Sequence, residues 1–371
     1  MRVTDPTDQG AAAGASAPVA ALADGDPEAA AAAARLHYTS DERPGYSRRK
    51  CGKGFTYLSP EGETVTDERV RRRLESLAIP PAWRDVWICR SPSGHIQATG
   101  RDEAGRKQYI YHPRWTEVRD AVKFASLVAF GHSLPRLRRR VNRDLKGGEL
   151  GALRLTAAAV KLLDLTLTRV GNARYARQNG SYGVTTLRDK HVKLVGDTLA
   201  VAFRGKSGEK QEFSLEDHEL AEVLRQCQEL PGYELFRYRD DDGHVAVIDS
   251  EDVNDYLRQV TGAELTAKEF RTWGGSVIVA EALAGTEPGP DASQRERKRA
   301  AAAAVERAAT ALGNTPTICR QSYVHPQLLK SFMAGEFEAP YRDALRAARA
   351  KRPRELRLHE AATLAYLEKA E

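Results

Sequence analysis

Two hydrophobic periods share this chain, and the point where one gives way to the other constrains its fold most. Between Tyr38 and Arg114 short runs alternate apolar and polar side chains: Phe55–Leu58, Asp85–Cys89, His95–Thr99 and Gln108–Tyr111. The turn signals S-P-S-G and D-E-A-G separate them, so a short antiparallel meander is expected. One helix interrupts it, Asp67–Leu77, with an aspartate at its start and Pro80-Pro81 beyond its end. After Trp115 the spacing becomes helical, near 117–131, 135–146, 154–169 and 173–178, and again over 216–229, 251–261, 266–284 and 292–312. A second strand cluster lies within this region: Val184–Leu187, Val192–Val195, Leu199–Phe203 and Gln211–Phe213, turned by V-G-D-T and G-K-S-G-E. The expected fold is α+β. A β-rich N-terminal lobe (37–115) precedes a larger, mostly helical domain (116–339) that carries one small antiparallel sheet. Residues 1–36 are Ala, Gly, Asp and Pro with almost nothing large to bury, so disorder is expected there. Residues 340–371 read as a charged extension of two helices divided at Pro353.

Charge narrows the class of partner. The chain of 371 residues carries +6 overall, but Arg2 against Asp5, Asp8, Asp24, Asp26 and Glu28 leaves −4 in residues 1–34 and so +10 in the remainder. A basic body with an acidic tail fits a polyanion, nucleic acid before membrane. The cysteines at 51, 89, 227 and 319 form no C-x-x-C pair and match no histidine spacing, which argues against disulfides and structural zinc and fits a reducing cytoplasm. No apolar run approaches the roughly 20 residues of a membrane span. The N-terminus lacks the basic start and apolar core of a secretory signal.

Several residues have the chemistry to act on such a partner, each with an ordinary structural alternative. Lys206 sits in G-K-S, but a P-loop needs a glycine where Ala200 stands, and a helix where a second strand is expected. It is either a solvated turn lysine or a cation that swings onto a bound polyanion. Arg169 reads as the C-terminal charge of the 154–169 helix, or as a phosphate ligand. Arg271, among Phe270, Trp273, Val277 and Ile278, reads as one half of a buried salt bridge, or as a second phosphate ligand. Asn314 and Tyr323 would stand about 13 Å apart on an unbroken helix. Thr315-Pro316 can start a helix, and His325 before Pro326 disfavours continuing one, so a break near Tyr323 is expected. Tyr323 is then either a satisfied core phenol or a nucleophile. Tyr109 and Tyr111 share one face of a strand beside Gln108 and Arg106. Arg136, Arg138, Arg139, Arg140, Arg143 and Lys146 read as a solvated helix face that also meets phosphates.

The blocks L-T-R-V-G-N-A-R-Y-A, S-Y-G-V-T-T-L, F-R-G-K-S-G, K-E-F-R-T-W and L-G-N-T-P-T-I-C-R-Q-S-Y-V-H-P, with G-H-I-Q-A-T-G-R-D-E-A-G-R-K-Q-Y-I-Y-H-P upstream, resemble the small bacterial and poxvirus-type branch of type IB DNA topoisomerases over roughly 40–335. The resemblance implies a monomeric, cytoplasmic enzyme of the nucleoid that clamps duplex DNA and relaxes supercoils without ATP, metal or other cofactor. It implies Tyr323 as nucleophile in a 3′-phosphotyrosyl link, Arg169 and Arg271 on the nonbridging oxygens, and Lys206 as proton donor to the 5′ oxygen. Asn314 stands where viral members carry histidine, which keeps a hydrogen bond to phosphate and removes a titratable group. Arg106, Gln108, Tyr109 and Tyr111 would contact DNA, as would Lys268. Lys268 also gives K-x-x-R where a tyrosine recombinase would show H-x-x-R. A site-specific recombinase and a non-catalytic DNA-binding protein of the same fold are the alternatives.

Overall fold

The computed structural model describes residues 17–23, 25–286 and 292–369. The chain divides after Ala125 into two compact units, a boundary ten residues beyond the one expected from periodicity.

The first unit opens with two short helices, α1 (Ala17–Ala23) and α2 (Pro27–Ala33), where disorder is expected from composition. Local signals for α2 were present: Asp26 caps it by accepting from the Ala29 N–H at 2.8 Å, and Pro27 occupies its first turn. What composition hid is its partner. Ala30 and Ala31 bury against Leu36 and Trp115, and small side chains let the helix approach the indole closely. Residues 1–16 of the expected tail lie outside the described residues. Next come β1 (Tyr46–Cys51), β2 (Gly54–Leu58), helix α3 (Glu68–Ser76), β3 (Arg84–Ile88), β4 (Ile96–Arg101) and β5 (Lys107–Tyr111). The sheet is antiparallel in the order β2-β1-β3-β4-β5. Its core is Tyr57, Leu74, Ile79, Val86, Ile88 and Ala98, with Leu74 supplied by α3. β1 escaped the pattern because S-R-R-K has no apolar alternation to show.

Helix α4 (Pro113–Leu145) replaces the two helices expected at 117–131 and 135–146, and runs through Pro135. An internal proline costs a helix about 3 kcal/mol. Leu127, Phe130, Leu134, Leu137, Val141 and Leu145 are all buried on both sides of it, each worth roughly 1.5–3 kcal/mol. Burial therefore outweighs the local penalty. The arginines of α4 are also less free than expected. Arg138 is half-buried and spans Asp164 and Glu360 at 2.7 Å each, Arg139 meets Glu355, and Arg140 meets Asp144. Arg138 thus ties together distant segments of the chain, where a solvated phosphate contact was expected.

The rest of the second unit is mostly helical: α5 (Ala152–Thr166), α6 (Ala173–Asn179), the sheet β6 (Val192–Val195), β7 (Thr198–Arg204) and β8 (Lys210–Glu216), then α7 (His218–Glu229). A small hairpin, β9 (Arg237–Arg239) and β10 (Val245–Val247), precedes α8 (Ser250–Thr261), α9 (Lys268–Ala284), α10 (Gln294–Leu312), α11 (Pro316–Ser322), α12 (Pro326–Ala334), α13 (Glu338–Ala350) and α14 (Leu358–Glu368). Val184–Thr186, expected as strand, is a 3-10 turn. The last two helices are integral to this unit, where a charged appendage was expected. Tyr341, Ala344, Leu364 and Leu367 are buried, and Tyr366 Oη donates to Ser331 Oγ at 2.6 Å.

Candidate active site

Arg169 is placed by a turn that α9 stabilises. Helix α5 stops at Thr166 because Leu167 takes left-handed dihedrals, φ 54° and ψ 20°. That conformation costs a branched residue roughly 1–2 kcal/mol, and tertiary contacts offset it. Arg271 donates to the Leu167 carbonyl, and Gly274 leaves the space its isobutyl group fills, since a Cβ there would lie 2.4 Å from Leu167 Cδ1. Arg169 therefore lies beyond the helix end, on an open turn. The 182–186 segment holds that turn from the other side: Val184 donates to Arg169 O at 2.9 Å and Thr185 to Val170 O at 2.7 Å. This is why Val184–Leu187 does not extend as a strand. The Arg169 guanidinium ends at Asn314, donating from Nη2 to Oδ1 at 2.6 Å.

Arg271 is 4% exposed and pairs with no carboxylate among the described residues. Its Nη2 donates to Leu312 O at 2.7 Å, while Nε has no partner. Burial, and then the neighbouring Arg169, push its pKa down, yet a guanidinium remains charged at any physiological pH. The buried salt bridge is thus absent, and the cation faces a phenol: Arg271 Cζ lies 4.9 Å from the Tyr323 ring centroid.

The tyrosine segment breaks as the prolines predict. Gly313 ends α10 at φ 58° and Asn314 N–H turns back to Ala309 O at 2.9 Å. Thr315 caps α11, Pro316 fills its first turn, and Tyr323 leaves helical geometry at φ −135°. His325 then caps α12 ahead of Pro326. Burial alone would raise the Tyr323 pKa, but the charges and hydrogen bonds of Arg271 and then Arg169 outweigh it and hold the phenol below its ordinary value. Lys206 stands on the 3-10 turn between β7 and β8, a strand–turn–strand setting that no P-loop has. It lines one cleft of about 910 Å³ with Arg169, Asn314 and Tyr323. Gln211 packs that hairpin onto the Asn314 turn: a Cβ at Gly313 would meet its Nε2 at 2.3 Å. The described residues thus bring Arg169, Lys206, Arg271, Asn314 and Tyr323 together from five separate segments.

Residues 112–339 match the family described as eukaryotic DNA topoisomerase I, catalytic core, and residues 54–102 match the bacterial DNA topoisomerase IB N-terminal domain. A DNA topoisomerase 1B of Acanthamoeba polyphaga mimivirus is 33% identical over 286 residues, covering 76% of this chain and 85% of that protein. The chain belongs to the type IB DNA topoisomerases. It is an enzyme that acts on DNA. A DNA topoisomerase I of Monkeypox virus is 22% identical over 293 residues, 76% of this chain and 88% of that protein. Among solved structures, a XerH site-specific recombinase in a post-cleavage complex aligns over 53% of this chain and 49% of its own at 13% identity and TM-score 0.33, a likeness too slight to argue from.

Not every expected contact of this topoisomerase belongs to the unit that carries the cleft. Arg106, Gln108, Tyr109 and Tyr111 belong to the first unit. Asp102 accepts from both Arg106 and Gln108, at 2.8 and 2.9 Å, and the two tyrosine rings stack at 5.7 Å with Tyr109 43% exposed. Lys268 is exposed in the first turn of α9 and does not line the cleft. Asp240, Asp242 and His244 come within metal-ligand reach of one another at the β9–β10 tip, also away from the cleft. No helix among the described residues is long and apolar enough to cross a membrane. Sequence reasoning missed Gly274, Gly275, Ser276 and Gln211. The G-G-S after R-T-W was the available signal, since paired glycines within a helix mark close approach.

Proposed function

We propose that this topoisomerase relaxes duplex DNA through Tyr323, without ATP or metal. The observation that carries the reading is a pair of orphaned donors. Among the described residues three buried side-chain polar atoms lack partners, and two of them, Arg271 Nε and Asn314 Nδ2, belong to residues beside the phenol. Buried N–H groups left open cost about 1–3 kcal/mol each, and a phosphodiester's nonbridging oxygens satisfy them. Tyr323 Oη attacks phosphorus, the P–O5′ bond breaks, and Lys206 gives its proton to the departing 5′ oxygen while the phenolic proton passes to solvent. The 3′-phosphotyrosyl ester retains the bond energy, so the freed hydroxyl reverses the steps with no nucleotide consumed. Arg169 and Arg271 supply the charge that balances the transition state. A single chain provides every group, so the enzyme works as a monomer, on nucleoid DNA in the cytoplasm.

Plasmid relaxation is expected to proceed fully in excess EDTA with no ATP, and SDS is expected to trap a DNA–protein adduct. An absolute metal requirement, or relaxation without adduct, contradicts the proposal. Lys206→Ala is expected to slow cleavage on the order of a hundredfold, and a substrate with a bridging sulfur at the scissile 5′ position restores the rate because thiolate leaves without a proton. A defect equal on both substrates removes the proton-donor role.

A further inference from the structure

Ser276 lies on α9 just past Arg271 and is 0% exposed. A hydroxyl inside a helix ordinarily bonds back to the carbonyl one turn earlier, as Thr156, Thr166 and Ser331 do in this chain. Ser276 bonds across instead. Its Oγ accepts from the His325 N–H at 2.9 Å and donates to the Tyr323 carbonyl at 3.4 Å. It therefore grips main chain on both sides of Val324, in the non-helical link between α11 and α12. Gly275 beside it is the seat: an added Cβ would stand 2.6 Å from Tyr323 O and 3.2 Å from Tyr323 Cβ. One helix thus carries the buried guanidinium and the contacts that set the tyrosine's backbone against it.

We infer that the Gly275–Ser276 step of α9 is a positioning device, which fixes the Tyr323 main chain where its phenol meets Arg271 and Arg169. The inference rests on Tyr323 being the nucleophile. Tyr323 caps the end of α11 through its own N–H to Cys319 O at 2.8 Å, and it has already left helical dihedrals. A misplacement near 1 Å costs a reaction about a hundredfold, so a second anchor has an effect to exert. Arg271 faces the phenol from α9 and Arg169 from the turn after α5, and Lys206 lines the same cleft from the β7–β8 turn. Cys319 on α11 is neutral, its thiol pushed up to about 11 by burial, and half-buried His325 is neutral, with desolvation holding its pKa down to about 4. Arg271 and Arg169 therefore dominate the phenol's ionisation, and drift away from them raises its pKa.

The test is single-turnover cleavage of a duplex whose cleaved fragment departs, at saturating DNA, from about pH 6 to 10. Wild type, Ser276→Ala, Gly275→Ala and Tyr323→Phe are compared, with DNA affinity and thermal melting measured on each. Ser276→Ala is expected to bind DNA as wild type does, to cleave between about tenfold and a hundredfold more slowly, and to shift the midpoint of its pH–rate profile upward. Gly275→Ala, which pushes on the same carbonyl, shifts it the same way. A loss of stability alone would slow neither folded enzyme nor move that midpoint. Wild-type rate with an unmoved midpoint in both variants, or a defect confined to affinity, overturns the inference; should Ser276→Ala not fold, Gly275→Ala decides it by the same criteria. Adduct formation by Tyr323→Phe would instead overturn the nucleophile assignment itself, whatever the serine variant does.

Discussion

Tyr323→Phe is expected to abolish plasmid relaxation and adduct formation while leaving duplex binding and thermal stability near wild type. The ring that Arg271 covers at 4.9 Å remains, so packing is kept and only the attacking oxygen is lost. Arg271 and Arg169 lower the phenol's pKa against the opposing effect of burial, and so favour the phenolate. Cleavage by the wild type should accordingly rise with pH through the phenol's apparent pKa. Filter binding, melting and SDS trapping on the same preparation check the three parts together. Residual relaxation above background, with an adduct still mapped to another side chain, would be incompatible with the proposed mechanism.

Arg271→Ala is the second large effect, and it differs because it strikes both chemistry and stability. Losing one preorganised donor from a phosphoryl-transfer site costs on the order of a hundred- to thousandfold in rate. This arginine also holds the carbonyls of Leu167 and Leu312, on segments 104 and 41 residues away. Leaving two buried carbonyls unpaired costs about 1–3 kcal/mol each. For a unit of this size the melting temperature should fall by roughly 5–10 °C. Unlike Lys206→Ala, the variant should gain nothing from a sulfur leaving group, because the charge it balanced sits on the nonbridging oxygens. Rescue by that substrate, or an unchanged melting temperature, would show that the guanidinium is not doing both jobs.

Much of the site was legible before its geometry was known. The prolines and capping residues around Thr315 and His325 dictate a broken helix, and Tyr323 does leave helical dihedrals there. The G-K-S-G turn read correctly as a hairpin, because alternation on both sides demands strands. Where expectation failed, a partner distant in sequence had overridden a local preference. Pro135 would divide a helix in isolation, but buried leucines on both sides keep α4 whole. Composition made the alanines before Leu36 look unheld, and Trp115 holds them. Arg138 read as a solvated cation, and two carboxylates from elsewhere in the chain pair with it and leave it half-buried.

The sequence by itself determined the elements, the turns between them and the inventory of reactive side chains, since these depend on dihedral preference and burial period over a few residues. Tertiary structure alone decided that Arg169 and Asn314, 145 residues apart, share a hydrogen bond, and that Arg271 pairs with no carboxylate among the described residues. It also decided that Gly275 and Ser276 on α9 meet the tyrosine's main chain, while Gly274 makes room for Leu167. The physical reason is that local propensity encodes direction only along the chain. Convergence is set by which surfaces bury each other, and that is a property of the packed whole.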